Sequence, residues 1–387
     1  MSGAWLDRRV LVTVGTGGVG KTTVAAALGL AAARRGKNVL VLTIDPARRL
    51  ADALGVTGLD HEVREIPRAV LESAGVPGGA ALSAMMLDTK RTFDELLDRY
   101  APDPEARERI LENPIYRNLT DALAGSREYS AMEKLYQLHS EGRYDLIVLD
   151  TPPASHALDF LEAPRRLTGF LDSPVLRLLF RPALAMGRTG FRLFRLGSNI
   201  FLPLVERITG IEFLRMVSEF LLAFESLWEG IGARAREIDK LLRDPVTGFL
   251  LVVGPDPVQR RRAAEFWERL DHEAIHLAGV VVNRIHDWPG GDTPPALDEA
   301  ARARAIGQLA ARLDRPTALA DATALVDLVL RQARLARRDR GLGATLGHEL
   351  PLDARDVRVV PLFDEDVHAL DALGRMAEHL VPEADRV

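Results

Sequence analysis

Cysteine is absent from the 387 residues of this sequence. The chain therefore forms no disulfide bond, no thiolate metal site and no cysteine nucleophile. An excess of basic residues is absent too, because the chain has 50 Lys and Arg against 55 Asp and Glu, which gives a net charge of −5. Nucleic acids favour strongly basic surfaces, so we expect no nucleic-acid partner.

Long apolar runs are also missing. We find no stretch of the roughly 18 uninterrupted apolar residues that a membrane-spanning helix requires. Residues 1–15 lead directly into a strand pattern and lack the basic region, apolar stretch and cleavage site of a secretory signal. We therefore expect a cytoplasmic chain that contacts membranes at most peripherally.

Short apolar runs alternate with longer helical patterns. Six runs rich in β-branched residues predict buried strands: Val10–Val14, Val39–Ile44, Leu146–Leu149, Phe249–Val253, Val280–Val282 and Val357–Val360. This alternation favours an α/β fold, a mostly parallel sheet with helices on both faces. Two intervals, 83–143 and 164–244, are too long for simple crossovers and are helical in pattern. They predict an inserted helical subdomain within a single domain spanning 1–387.

The strongest motif follows the first predicted strand. Residues 15–23, GTGGVGKTT, match the pattern G-x-x-x-x-G-K-T in a strand–loop–helix context, which is more than a glycine-rich turn needs. The inward backbone N–H groups of such a P-loop and the following helix N-terminus favour phosphate. The predicted nucleotide-binding residues are Gly17, Gly18, Val19, Gly20, Lys21, Thr22 and Thr23.

Three of these side chains have separate predicted roles. Lys21 is expected to reach the β- and γ-phosphates and to neutralise charge that develops during phosphoryl transfer. The hydroxyl of Thr22 is expected to bind Mg²⁺, while Thr23 caps the helix or meets the α-phosphate.

Two aspartates end predicted strands, at the sheet edge where ligands of open α/β folds bind. Asp45 could orient or deprotonate an attacking water. Asp150 closes an apolar strand, as expected for the carboxylate that holds Mg²⁺ through water. Each aspartate could instead be only a helix cap or a turn former.

Three segments together resemble one branch of the P-loop ATPases, the family of the arsenite-pump ATPase and the tail-anchored-protein targeting ATPase of the Get pathway. They are GTGGVGKTT at 15–23, DPARRLADALG at 45–55 and DTPPASH at 150–156. The first is similar to the family's deviant Walker A loop, and the others to its two switches. The resemblance extends over nearly the whole chain.

The resemblance also implies roles for single residues. Asp45 matches the catalytic aspartate of the first switch. Asp150 and His156 match residues of the second switch, whose loop senses the γ-phosphate and relays its loss to the helical subdomain. Asn283 resembles the asparagine that reads adenine. Pro361 resembles part of the loop that packs beside the base.

The sequence departs from that family at two points. The family's lysine at the second loop position, which reaches the partner's nucleotide, is replaced by Thr16; Arg48 or Arg49 could supply the missing charge. Without cysteines, the chain lacks the ligands for the family's thiolate metalloid site and its Cys-x-x-Cys zinc clasp, so no zinc site is expected. Because only one P-loop is present, we expect a homodimer.

The interval Ser173–Val205 combines large apolar residues with five arginines that share a stripe at helical spacing. These are Arg177, Arg181, Arg188, Arg192 and Arg195. By resemblance, the region 173–225 is where a hydrophobic client helix binds, and a cationic amphipathic segment can equally lie on a membrane surface. Alternatively, its apolar residues close the subdomain core and the arginines form a solvated face.

These patterns predict a dimeric switch ATPase that binds and hydrolyses Mg-ATP and couples nucleotide state to a hydrophobic client segment or a membrane partner. An ATP-gated regulatory or scaffolding protein with little turnover is the main alternative, and Thr16 is the residue that favours it. A metalloid pump subunit with non-thiolate ligands is another. A partitioning ATPase is a further alternative, although the two long helical intervals argue against it.

Overall fold

The computed structural model describes residues in several ranges along the chain. The described residues are 5–45, 47, 49–101, 103–112, 126–151, 162–165, 168–169, 230–288, 294, 296, 298–313, 315–350, 352–353, 356–364, 367 and 370–382. Every structural statement below concerns these residues.

One sheet of eight strands organises the described part of the chain, in the order β3-β4-β2-β5-β1-β6-β7-β8. The strands are β1 Val10–Val14, β2 Asn38–Thr43, β3 Arg64–Glu65, β4 Ala81–Met86, β5 Leu146–Asp150, β6 Thr247–Val253, β7 Leu277–Ile285 and β8 Val357–Pro361. All neighbours pair in parallel except β3, which pairs antiparallel with β4. The carboxyl ends of β1, β2 and β5 therefore meet at one edge.

Helices cover both faces of this sheet. They are α1 Lys21–Arg34, α2 Arg49–Leu54, α3 Arg68–Ser73, α4 Thr89–Tyr100, α5 Pro104–Glu112, α6 Ser126–Ser140, α7 Pro257–His272, α8 Glu299–Ala310, α9 Ala318–Glu349 and α10 Leu370–Leu380. Residues 230–243 are also helical. None of the described helices is long and apolar enough to cross a membrane.

The central strand β1 shows why the sheet is buried on both sides. Val10, Val12 and Val14 belong to one core, with side chains of α4 and α6, whereas Leu11 belongs to a second core with α1 and α10. Because successive side chains of a strand point to opposite faces, a strand whose five residues are all buried must be covered on both faces. The predicted α/β architecture is confirmed.

All six predicted strands are present, but the sequence patterns missed β3 and β4. The interval that we predicted as helical from residue 83 in fact begins with strand, since Ala81–Met86 pairs with β2 over its whole length. The segment Ala-Leu-Ser-Ala-Met-Met lacks β-branched residues, so its strand conformation comes from sheet pairing and burial rather than from local propensity.

The two predicted helical intervals meet in the described residues. Glu133 of α6 is 2% exposed and accepts hydrogen bonds from Arg99 of α4 at 3.4 Å and from Arg234 at 3.0 Å. Arg234 lies in the helical stretch 230–243, which belongs to the second interval. The predicted client region 173–225 lies outside the described residues.

Candidate nucleotide site

The loop between β1 and α1 has a shape that only glycine permits at two positions. Gly15 has φ 151°, and a Cβ there would lie 2.1 Å from the carbonyl oxygen of Val252. Gly20 caps α1 with φ 91°, and a Cβ there would lie 2.5 Å from Nδ2 of Asn283. The glycines are therefore required by close backbone approach and by left-handed geometry.

The carbonyl groups of this loop are occupied by side-chain donors. Nζ of Lys21 donates to the carbonyl oxygens of Gly15 at 2.9 Å and Thr16 at 3.0 Å. Nδ2 of Asn283 donates to Val19, and Nη1 of Arg284 donates to Gly18, each at 2.8 Å. A loop whose carbonyl groups are paired in this way can direct its N–H groups at an anion.

Lys21 is buried, with 7% of its surface exposed. Burial lowers the pKa of its ammonium group, and the nearby carboxylates of Asp150 and Asp45 oppose this effect. Hydrogen bonds link the neighbouring residues: Thr22 donates to Asp150 at 2.7 Å, and Thr43 donates to Asp150 at 2.9 Å while accepting the N–H of Asp45 at 3.2 Å. Lys21 lies folded back on its own loop, so it must leave those carbonyls to reach a phosphate.

Asp150, the last residue of β5, is completely buried. Its Oδ2 accepts hydrogen bonds from the hydroxyl groups of Thr22 at 2.7 Å and Thr43 at 2.9 Å. Its Oδ1 has no hydrogen-bond partner among the described residues. Burial raises the pKa of this carboxyl group to about 6.

The residues around Asp150 fit a magnesium ion that is shared with a nucleotide. A hydroxyl group and a carboxylate oxygen without a partner are the hard oxygen donors that Mg²⁺ prefers. In the described ranges, no group of three or more His, Asp or Glu is placed to hold a metal. For Mg²⁺, phosphates and water usually complete the coordination.

Asp45 lies just beyond β2 and its side chain is 24% exposed. Its Oδ1 accepts the backbone N–H of Ala47 at 3.0 Å, and its Oδ2 lies 3.5 Å from Nη1 of Arg49. Asp45 thus forms a local turn of the kind that the alternative interpretation described. Its backbone N–H donates to the hydroxyl of Thr43 at 3.2 Å, and Thr43 in turn donates to Asp150, so Asp45 lies beside the Asp150 carboxylate.

Asn283 and Pro361 lie at the ends of neighbouring strands. The register pairs Ile285 of β7 with Pro361 of β8, and the N–H of Leu362 donates to the carbonyl oxygen of Ile285 at 2.8 Å. Asn283 is 4% exposed and also accepts the N–H of Arg284 at 3.0 Å. The two residues predicted to contact the base therefore lie at one edge of the sheet, and Asn283 contacts the phosphate loop.

Residues 8–294 match the protein family described as anion-transporting ATPase. The matched region is more than half of the chain and includes the phosphate loop, Asp45, Asp150 and Asn283, whereas Pro361 lies beyond it. The chain belongs to the anion-transporting ATPase family.

Three relatives of this chain differ in sequence identity and in the share of each chain that is covered. A protein of Halobacterium salinarum, provisionally named an arsenical pump-driving ATPase, is 34% identical over 173 residues, which are 43% of this chain and 25% of that protein. A provisionally named arsenical pump-driving ATPase 1 of Aquifex aeolicus is 24% identical over 72% of this chain and 63% of its own length. ATPase get3 of Schizosaccharomyces japonicus is 27% identical over 70% of this chain and 72% of its own length. The chain thus spans less than two thirds of both pump-driving relatives.

In this member of the anion-transporting ATPase family, a hydrogen bond within the same chain holds the side chain of Thr16. The hydroxyl of Thr16 donates to Oε1 of Gln259, a residue of α7. Both side chains also line a cavity of about 460 Å³ between the loop, the end of β6 and α7. Sequence patterns did not indicate the partner, because Gln259 is distant in sequence and has no motif around it.

Two other residues of the site were missed by sequence reasoning. Thr43, which donates to Asp150, is the one polar side chain at the end of the otherwise apolar run Val39–Thr43, and this break in the run was the available signal. Arg284 left no signal in the sequence. His156 and Arg48 lie outside the described residues, and so do the other second-switch residues after Thr151.

Proposed function

We propose that this chain binds Mg-ATP at the 15–23 loop, hydrolyses it, and acts as a nucleotide-dependent switch. The arrangement of Lys21, Thr22 and Asp150 is the observation that supports the proposal most strongly. A buried lysine, a hydroxyl group and a carboxylate oxygen without a partner converge at the start of α1. Such a combination fits a phosphate chain with its metal better than any neutral ligand.

Binding would rearrange contacts that the free chain already makes. Lys21 would exchange the carbonyl groups of Gly15 and Thr16 for the β- and γ-phosphates. Thr22 would turn its hydroxyl lone pair to the metal while Asp150 remains hydrogen-bonded to Thr43. When bound, Mg²⁺ would neutralise charge on the phosphate oxygens.

Asp45 is proposed to orient the attacking water. To do so, its carboxylate must be freed from the N–H of Ala47 or turned away from Arg49, so the turn around Asp45 would change between nucleotide states. Arg49 is 67% exposed on its side chain and would then be available to supply the cation that Thr16 lacks.

The output is proposed to run through the helical insertions and a homodimer. Glu133 ties α6 to the helical stretch 230–243, so displacement of one interval would move the other. The family relationship supports a dimer that binds a hydrophobic client segment or a membrane partner through the 173–225 region, in a cytoplasmic setting. A second P-loop would come from the second copy.

A gated protein with little turnover is the alternative that one observation favours. The contact of Thr16 with Gln259 fixes the second loop position inside the chain, and a threonine hydroxyl carries no positive charge. Charge supplied in trans can raise phosphoryl transfer by about 10³-fold or more. Without a substitute cation, binding would persist while hydrolysis became slow.

Steady-state hydrolysis of Mg-ATP separates these two functions. We would compare the unaltered chain with Asp45→Asn and Thr16→Lys, and use Asp371→Asn as a control because Asp371 is exposed on α10. Turnover that falls about 100-fold or more in Asp45→Asn alone supports the switch ATPase. Turnover only in Thr16→Lys supports the gated protein, and Asp45→Asn with unaltered turnover contradicts the proposed role of Asp45. Light scattering with and without Mg-ATP tests the dimer.

A further inference from the structure

The backbone of Arg284 is left-handed, with φ 63°. Residues other than Gly, Asn and Asp rarely adopt this backbone conformation, and where they do the surrounding structure enforces it. Arg284 lies near the end of β7, where the pairing with β8 shifts register between Val282 and Ile285. The irregularity therefore falls at the point where β7 approaches the phosphate loop.

This conformation has a direct geometric consequence. In a regular strand, successive side chains point to opposite faces. At Asn283 and Arg284 they instead reach successive carbonyl groups of one loop, those of Val19 and Gly18, each at 2.8 Å. The N–H of Arg284 also donates to Oδ1 of Asn283 at 3.0 Å, which fixes the orientation of the amide.

We infer that Arg284 is a positioning residue that, together with Asn283, holds the phosphate loop in its anion-binding shape. The guanidinium group keeps the Gly18 carbonyl turned toward β7, so the adjoining N–H groups stay directed at the phosphate chain. A charged donor makes this bond stronger than a neutral amide would. The inference rests on the proposed nucleotide site but adds a residue outside the loop motif.

The hydrogen-bonding capacity of Asn283 allows the same pair to link the base with the loop. Its amide nitrogen has two N–H donors and its oxygen has two acceptor positions, and the free chain uses one of each. One donor and one acceptor position are left for a base. A nucleotide that engages Asn283 would therefore contact the group that orders the loop, whereas inorganic triphosphate would not.

Two substitutions separate the effect of the guanidinium group from the effect of the left-handed backbone. Arg284→Asn keeps a residue that tolerates the left-handed region but removes the guanidinium group. Arg284→Lys keeps a positive donor on a flexible side chain.

We expect Mg-ATP affinity to fall about tenfold in Arg284→Asn and to be partly restored in Arg284→Lys. We expect kcat to change less than KM, because Arg284 does not touch the reacting atoms. Arg304→Asn, an exposed arginine of α8, is the matched control.

A second readout needs no nucleotide. Because the chain has no cysteine, Thr16→Cys provides a single labelling site within the loop. A nitroxide label at this position should be more mobile by electron paramagnetic resonance when Arg284→Asn is added, and unchanged when Arg304→Asn is added. Equal label mobility in both backgrounds would overturn the inference, even if the chain hydrolysed ATP normally. A more mobile loop in a chain that binds no ATP would support the positioning role while contradicting the proposed function.

Discussion

The pH dependence of stability should reveal the burial of Asp150. A rise in the pKa from 3.8 to about 6 means that the folded chain holds this proton more tightly than the unfolded chain does. The contribution of Asp150 to the free energy of unfolding is therefore greatest below about pH 4 and is lost as the pH rises through about 6. The rise corresponds to a loss of about 3 kcal/mol, because each tenfold change in proton affinity is worth about 1.4 kcal/mol.

The substitution Asp150→Asn removes this titration while keeping the shape of the side chain. Its carbonyl oxygen can still accept the hydroxyl groups of Thr22 and Thr43, but its amide group takes the position where Oδ1 lacks a partner. A buried amide without a partner costs about 1–3 kcal/mol at every pH. The absolute stability of the variant can therefore lie on either side of the unaltered chain, whereas the pH-dependent difference of about 3 kcal/mol remains.

Urea unfolding without nucleotide or Mg²⁺, at several pH values between 4 and 8, measures this difference. Other carboxyl groups titrate in both proteins, so subtraction isolates Asp150. We expect the variant to gain about 3 kcal/mol relative to the unaltered chain between pH 4 and 8. A constant difference across this range would refute the assigned burial and charge state. In the presence of Mg-ATP, the variant should gain less ligand-induced stability than the unaltered chain does.

Three further predictions concern other parts of the structure. Gly20→Ala should weaken nucleotide binding at least about tenfold in a fluorescent-ATP titration, because its Cβ would lie 2.5 Å from Nδ2 of Asn283; unaltered affinity would contradict the loop geometry. Glu133→Ala should lower the free energy of unfolding by about 3–5 kcal/mol, since Arg234 loses its partner, and a loss below about 1 kcal/mol would count against this ion pair. His61, between α2 and β3, is buried, and its Nδ1 accepts the backbone N–H of Asp88 at 3.0 Å. Burial lowers the pKa of His61, so the stability that its neutral form contributes is present above about pH 6.5 and is lost as the pH falls below that value. His61→Gln should flatten this acid-side loss in urea unfolding, and an unchanged slope would contradict it.

Local sequence patterns predicted the positions of the phosphate-loop residues and of Asp150. The glycines of the loop, Lys21 and Thr22 form one continuous motif, and the apolar run that ends in Asp150 identifies a strand end. These elements lie where they were expected, because parallel strands bring their carboxyl ends to one edge. The six β-branched runs likewise became strands.

Features that depend on distant parts of the chain could not be predicted in this way. The strand β4 has no β-branched residue and is set by its pairing with β2. The contact of Gln259 with Thr16 joins residues that are distant in sequence, and the left-handed backbone of Arg284 violates the local preference of arginine. Such violations are expected at strained functional positions rather than in ordinary strands.

Isothermal titration of the chain with Mg-ATP tests most directly whether the 15–23 loop is a nucleotide site. We expect saturable binding of one nucleotide per chain, which is lost in Lys21→Ala because the buried ammonium group is the main cation of the site. The control Lys90→Ala, an exposed lysine on α4, should bind as the unaltered chain does. Absence of binding by the unaltered chain, or equal binding by Lys21→Ala, would contradict the assignment of the phosphate loop.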